Sequence, residues 1–208
     1  MKIIAISDTH GKHRNLDLPQ GDMLIHAGDV SSRGLEDEVL DFLDWYESLD
    51  FKYKIFIAGN HDFYFEKEKN EAIEKVIPSN VIYLNDSGVT IEGIKIWGSP
   101  IQPWFFDWAF NRKRGEEIAQ HWKLIPEDTN ILVTHGPTFG LLDKTFRGES
   151  VGCEELLKSI KKVKPQFHIA GHIHEAYGQI EKDGTHFINA SVLDLRYQLV
   201  NKPFEFEL

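Results

Sequence analysis

The stretch Lys2-Ile3-Ile4-Ala5-Ile6-Ser7-Asp8-Thr9-His10 holds the pattern that decides the fold. Its apolar run is too short for a helix and too uniformly apolar for a strand with one wet face. It reads as a strand buried on both faces, running into a polar loop. The same arrangement recurs four times. Met23–Ala27 ends in Gly28-Asp29, and Lys54–Ala58 ends in Gly59-Asn60-His61-Asp62. Asn130–Thr134 runs into His135-Gly136, and Phe167–Ala170 into Gly171-His172-Ile173-His174.

Helical patterns separate these strands. Leu35, Val39, Phe42, Tyr46 and Leu49 recur at helical spacing, with Asp and Ser residues upstream as start signals. Glu66–Ile77 and Gly152–Val163 read as two further helices, each stopping before a proline, Pro78 or Pro165. Gly93 separates Val89–Ile91 from Ile94–Trp97, predicting a strand pair. Asp183-Gly184 predicts a hairpin between Tyr177–Ile180 and His186–Asn189. Strands alternating with helices, plus antiparallel hairpins, imply an α/β sandwich of mixed sheets covered by helices.

The chain has 208 residues, which suits one domain over 1–208. No apolar run approaches the roughly 18 residues a membrane span needs, and the start shows no cleavable leader. The single cysteine, Cys153, excludes a disulfide framework and a Cys-rich zinc module, so cytoplasmic residence is the expectation. The 23 Lys+Arg against 33 Asp+Glu give a net charge of −10, which argues against a broad duplex-binding surface. Bound metal would let so acidic a chain hold an anion, and its 10 histidines point the same way.

In open α/β sheets, function gathers beyond the carboxyl ends of strands. There this chain places Asp8, His10, Asp29, Asn60, His135, His172 and His174. Oxygen and nitrogen donors without thiolate suit Mn, Fe, Zn, Co or Ni. A pair of ions needs a bridging ligand, and Asp29 on the middle loop is the natural one. Asp8, His10 and His174 would complete one site, and Asn60, His135 and His172 the other. Glycine before Asp29, Asn60 and His172 permits close backbone approach. The i, i+2 spacing of Asp8/His10 and His172/His174 predicts side chains on one side of extended backbone. Any one of these pairs is commonplace, but five in a row at strand ends are not.

These motifs resemble the calcineurin-like metallophosphoesterases, and within them the metallophosphoesterase-domain-containing (MPPED) subfamily. The closer likeness rests on Asp8-Thr9-His10-Gly11, His26-Ala27-Gly28-Asp29, Gly98-Ser99-Pro100, Pro103-Trp104-Phe105 and Thr134-His135-Gly136-Pro137. It continues through Gly152-Cys153-Glu154-Glu155-Leu156-Leu157, Gly171-His172-Ile173-His174-Glu175, Tyr177-Gly178 and Asn189-Ala190-Ser191. The resemblance implies a four-layer α/β/β/α sandwich and a two-metal phosphoesterase, with Mn favoured. It also implies phosphodiester substrates, cyclic nucleotides among them. Some subfamily members carry glycine where His172 stands, and this chain keeps the histidine. One departure is Ser32, where protein phosphatases of the family carry an aspartate that orients the catalytic histidine.

The expected mechanism is attack on phosphorus by a hydroxide held between the ions, with His61 donating to the leaving oxygen. The bland alternative for His61 is packing. Asp62 is expected either to hold His61 or to cap the following helix. Asn60 and His61 are expected to touch substrate. Arg33 is either a phosphate clamp or a solvated residue. Trp104 either stacks a nucleobase or belongs to a flap over the sheet edge. His13 is expected to be an exposed loop residue, and His121 to lack a partner. Expected partners are a small phosphodiester or nucleotide and, less centrally, single-stranded nucleic acid. The competing functions are a phosphomonoesterase and an inactive scaffold.

Overall fold

The computed structural model describes residues 1–208. In chain order the strands are β1 (Lys2–Ile6), β2 (Met23–Ala27), β3 (Tyr53–Ile57), β4 (Ile82–Tyr83), β5 (Ser87–Ile91), β6 (Ile94–Ser99), β7 (Gln102–Pro103) and β8 (Asn111–Arg112). They continue as β9 (Ile131–Thr134), β10 (Phe167–Ala170), β11 (Gly178–Lys182), β12 (Thr185–Asn189) and β13 (Phe204–Glu207). The helices are α1 (Glu36–Ser48), α2 (Phe63–Lys67), α3 (Asn70–Val76), α4 (Glu116–Trp122) and α5 (Glu154–Val163).

Two mixed sheets stack on one another. The first has order β13-β1-β2-β3-β4 and the second β11-β12-β10-β9-β6-β5. Ile3, Ala5, Ile25 and Ile55 of the first sheet meet Ile96, Val133, Ile169 and Ile188 of the second in a dry inter-sheet core. The opposite faces carry Ile4, Leu24, Phe56, Leu132 and Phe187, which pack under the helices. Alternate residues of each central strand therefore face two different hydrophobic layers, and this is why those strands are apolar throughout. The outcome is the four-layer α/β/β/α sandwich. No helix is long and apolar enough to cross a membrane.

Several local expectations are corrected. The Glu66–Ile77 segment is not one helix but α2 and α3, broken at Glu68-Lys69, where both residues adopt extended backbone. No Asp or Ser side chain caps α1. The Glu38 carboxylate turns back instead to accept from the backbone N–H of Arg33 (2.8 Å) and Leu35 (3.4 Å). Strand β13 pairs antiparallel with β1 at the sheet edge, and its Phe-Glu alternation marks a half-exposed strand. His13 is fully buried between Phe42 and Trp45, not exposed. His121 has two partners, Asp86 (2.6 Å) and Arg112 (3.2 Å).

His168 on β10 is buried, and its Nε2–H donates to Thr134 Oγ1 at 2.8 Å, since that hydroxyl is itself spent on Gly136 O. Burial alone holds its pKa down to about 3, against an ordinary 6.5. The folded chain therefore refuses a proton that the unfolded chain accepts. Stability from this residue is complete above pH 6.5 and is lost as pH falls from there toward 3. Between pH 7.5 and 5 the loss is about 2 kcal/mol, or about 4–8 °C in Tm. In chelator-treated protein, His168→Gln should show a Tm drop over that interval smaller by this amount. An identical drop in both proteins would refute the assignment.

Candidate metal centre

The loops leaving β1, β2, β3, β9 and β10 bring all seven expected ligands to one end of the stacked sheets. The donor atoms form overlapping groups: Asp8, His10 and His174; Asp29, His135 and His172; and His10, Asp29 and His61. Asp29 lies where these groups meet. Its Oδ2 is 3.5 Å from His10 Nε2 and 3.3 Å from His135 Nε2. On one side, His174 Nε2 is 3.4 Å from both Asp8 Oδ1 and His10 Nε2. On the other, Asn60 Oδ1 is 2.9 Å from His135 Nε2.

The backbone dictates these positions, though not as the spacing predicts. Asp8, His10, Asp29 and His172 all have positive φ, at 57°, 43°, 56° and 68°. The i, i+2 pairs therefore do not lie on extended chain, and His174 opens a short 3₁₀ turn. Left-handed backbone at non-glycine residues costs roughly 1 kcal/mol or more each and persists only where surroundings impose it. Here the surroundings are explicit. His172 N–H donates to both Asp8 oxygens (3.1 and 3.0 Å), and the Asn189 amide donates to Gly171 O (3.3 Å) and Ile173 O (2.9 Å). Glycine is required where expected. A Cβ at Gly59 would lie 2.7 Å from His135 Cε1 and clash with Asp29, and one at Gly171 would clash with Ser7 and Asp8.

The donor set fits divalent cations. His135 gives its Nδ1–H to Ala27 O (3.0 Å) and His174 gives its Nδ1–H to Asp194 O (3.0 Å). Both rings therefore turn Nε2 toward the carboxylates, the tautomer a metal ligand needs. His10 Nδ1 is buried with no hydrogen-bond partner. Without metal the cluster draws protons as cations. Burial opposes charge on His135, but Asp29 and then Asp8 lift its pKa to about 9. Burial likewise opposes charge on His174, and Asp8 raises it to about 9. Burial wins at His10, pushed down to about 4, and at His172, pushed down to about 3. Asp8 and Asp29 stay ionised despite burial because these imidazoles face them.

The remaining expected residues divide. His61 is at the centre. Its backbone N–H donates to Asp29 Oδ1 (2.8 Å) and its ring Nδ1–H to Ser32 O (2.7 Å). The missing aspartate at Ser32 is thus made good by a main-chain carbonyl, which needs no particular side chain. Asp62 neither holds His61 nor caps α2. Its carboxylate accepts from Val30 N (3.1 Å), Ser31 N (2.9 Å), Ser31 Oγ (2.6 Å) and Gly59 N (2.8 Å). It stitches the Asp29 loop to the Asn60 loop, and burial together with the Asp29 charge raises its pKa to about 6. Arg33 is exposed and paired with Glu38 at 3.1 Å, so it clamps nothing in the cluster. Trp104 is 58% exposed and lines, with Phe105, Arg114, Thr145 and His172, a cleft of about 260 Å³ beside the cluster.

Two aromatic neighbours escaped the sequence reading. Tyr197 meets the rings of His10 and His174 edge-on at 4.9 and 5.3 Å, from a turn whose φ of 57° no sequence signal announces. Trp108 stacks on His61, and its signal, the aromatic run 104–110, was visible without showing which ring faces inward.

Comparison with known proteins agrees with this geometry. The family model described as calcineurin-like phosphoesterase matches residues 1–176, and the chain belongs to that family. Family and fold together make it a metal-dependent phosphoesterase, and the family implies a dinuclear divalent metal centre. Human Metallophosphoesterase domain-containing protein 1 is 43% identical, covering 100% of this chain and 71% of its own length. A UPF0046 protein of Caenorhabditis elegans is 38% identical over 99% of this chain and 74% of its own. Among solved structures, the Phosphopantetheinyl Hydrolase of Mycobacterium tuberculosis superposes with a TM-score of 0.64 at 18% identity, covering 94% of this chain and 90% of that one. That likeness concerns the fold alone.

Proposed function

We propose that this protein hydrolyses small phosphodiesters, nucleotides among them, at a two-metal centre. Asp8, His10 and His174 would hold one ion, Asn60, His135 and His172 the other, and Asp29 would be shared by both. The observation that carries this reading is the place of Asp29 Oδ2, within 3.5 Å of His10 Nε2 and 3.3 Å of His135 Nε2. A carboxylate set between two donor groups suits a shared ligand. When bound, two divalent transition-metal ions, Mn favoured, supply Lewis acidity toward the phosphoryl oxygens and activate water near neutral pH.

The side chains do the rest. Ser32 O holds His61 Nδ1–H, so a second proton, when the ring carries one, sits on Nε2, and this is the proton that passes to the leaving oxygen as its bond to phosphorus breaks. Asn60 and His61 flank the phosphoryl group, and Trp104 offers an aromatic face to the substrate's organic portion in the adjoining cleft. The single cysteine is free and buried, which suits a reducing compartment such as the cytoplasm. The substrates that suit this cleft are a free nucleotide or an end of single-stranded nucleic acid that reaches it.

The test is turnover after chelation and reconstitution with Mn, Fe, Co, Ni or Zn. Bis-p-nitrophenyl phosphate and the 2′,3′- and 3′,5′-cyclic nucleotides should be hydrolysed in preference to p-nitrophenyl phosphate. Preference for the monoester would overturn diester specificity, and no turnover with any metal would overturn the enzyme reading.

A further inference from the structure

Trp108-Ala109-Phe110 runs along the His61 loop instead of out into solvent. The Trp108 indole lies face to face with the His61 imidazole, with centroids 4.2 Å apart and planes inclined by 28°. Phe63 lies beside the same indole at 6.0 Å and 30°. Main-chain bonds fix this limb to the loop it covers. Ala109 N–H donates to Asn60 O at 3.1 Å, and Phe110 N–H donates to the Glu66 carboxylate at 2.7 Å. The ring of His61 has one hydrogen bond of its own, to Ser32 O. One hydrogen bond sets the direction of a ring atom but leaves the ring free to twist about that line. A stacked indole face removes the twist, and His10 meets the imidazole edge-on at 4.6 Å.

We infer that Trp108 is a positioning residue, setting the ring plane of His61 so that Nε2 points at the leaving oxygen. The inference rests on the reading of His61 as leaving-group donor. The Trp108 side chain makes no hydrogen bond to the proposed ligands, and its stacking partner in the cluster is His61. Misplacement of a reacting group by about 1 Å costs on the order of 10²-fold in rate.

The test is a kinetic cycle on metal-loaded protein with a diester whose leaving group is an alkoxide. Trp108→Ala should lower kcat by about tenfold or more while KM changes little, and Trp108→Phe, which keeps a flat face, should recover most of it. Added to His61→Ala, Trp108→Ala should cost nothing further, because the ring it positions is gone. In the metal-free protein, the His61 ring protons should be shifted upfield by the indole ring current and lose that shift in Trp108→Ala. Should Trp108→Ala not fold, Trp108→Leu fills the space without a planar face and should match the expected loss. Full kcat in the folded variant, or losses that add in the double variant, would overturn the inference. Full kcat in His61→Ala alone would instead overturn the role of His61.

Discussion

Asp29→Asn is expected to lower kcat/KM for a phosphodiester by about 10³-fold or more and to reduce the bound metal from two ions to one per chain. The size follows from what one side chain does. Oδ2 faces His10 and His135, while Oδ1 accepts the His61 backbone N–H at 2.8 Å. Asparagine keeps the shape and an oxygen but removes the charge, and a neutral amide is a poor ligand between two cations. The loss should appear in metal content measured by elemental analysis as well as in rate. Asp44→Asn, altering an exposed carboxylate paired only with Arg14, should leave both unchanged. Two tightly held ions and undiminished turnover in Asp29→Asn would remove the shared-ligand reading.

The same residue shows how much of this molecule its sequence exposes. Asp29 was legible because it follows a five-residue apolar strand at a glycine, and four other short apolar runs end in polar loops of the same kind, two of them also at a glycine. Periodicity thus locates the strands, and strand ends locate the candidate ligands. Periodicity says nothing about backbone sign. Asp8 and His10 looked like alternating positions of a strand, yet both sit at positive φ, held by contacts from the loops after β2 and β10 that are remote in sequence. Asp62 shows the same limit. Next to His61 it invited a catalytic role, but its four donors come from residues 30, 31 and 59, and only tertiary structure assigns it to bracing. Ser32 erred in the opposite direction. The aspartate side chain that protein phosphatases of the family carry is absent, while the group that bonds His61 is a carbonyl, present whatever the residue. Main-chain acceptors leave no trace in residue identity, and Ala27, Asp194 and Ser32 all act through theirs.

The left-handed residues of the cluster also connect fold to chemistry. Strain at Asp8, His10, Asp29 and His172 is tolerable because the strands behind them are buried on both faces and fixed in register. A rigid double sheet can impose on its loops conformations that those loops would not adopt alone. Ligands held in this way are preorganised, so little reordering opposes metal binding.

His61→Ala is expected to lower kcat by about 10²–10⁴-fold, the range for loss of a positioned proton donor. The loss should depend on the leaving group. A p-nitrophenolate departs readily without a proton, so bis-p-nitrophenyl phosphate should suffer least. A nucleoside or alkyl alkoxide needs the proton as the bond to phosphorus breaks, so such diesters should suffer most. A second role competes for this residue, because His61 also falls within the donor group of His10 and Asp29. Metal content separates the two. A donor to the leaving oxygen can be removed with both ions retained, whereas a ligand cannot. Ring orientation does not separate them, because an Nδ1–H committed to Ser32 O leaves Nε2 free for either role, as at His135 and His174. An equal loss on every diester, accompanied by a missing ion, would make His61 a ligand and leave the leaving group without a side-chain acid.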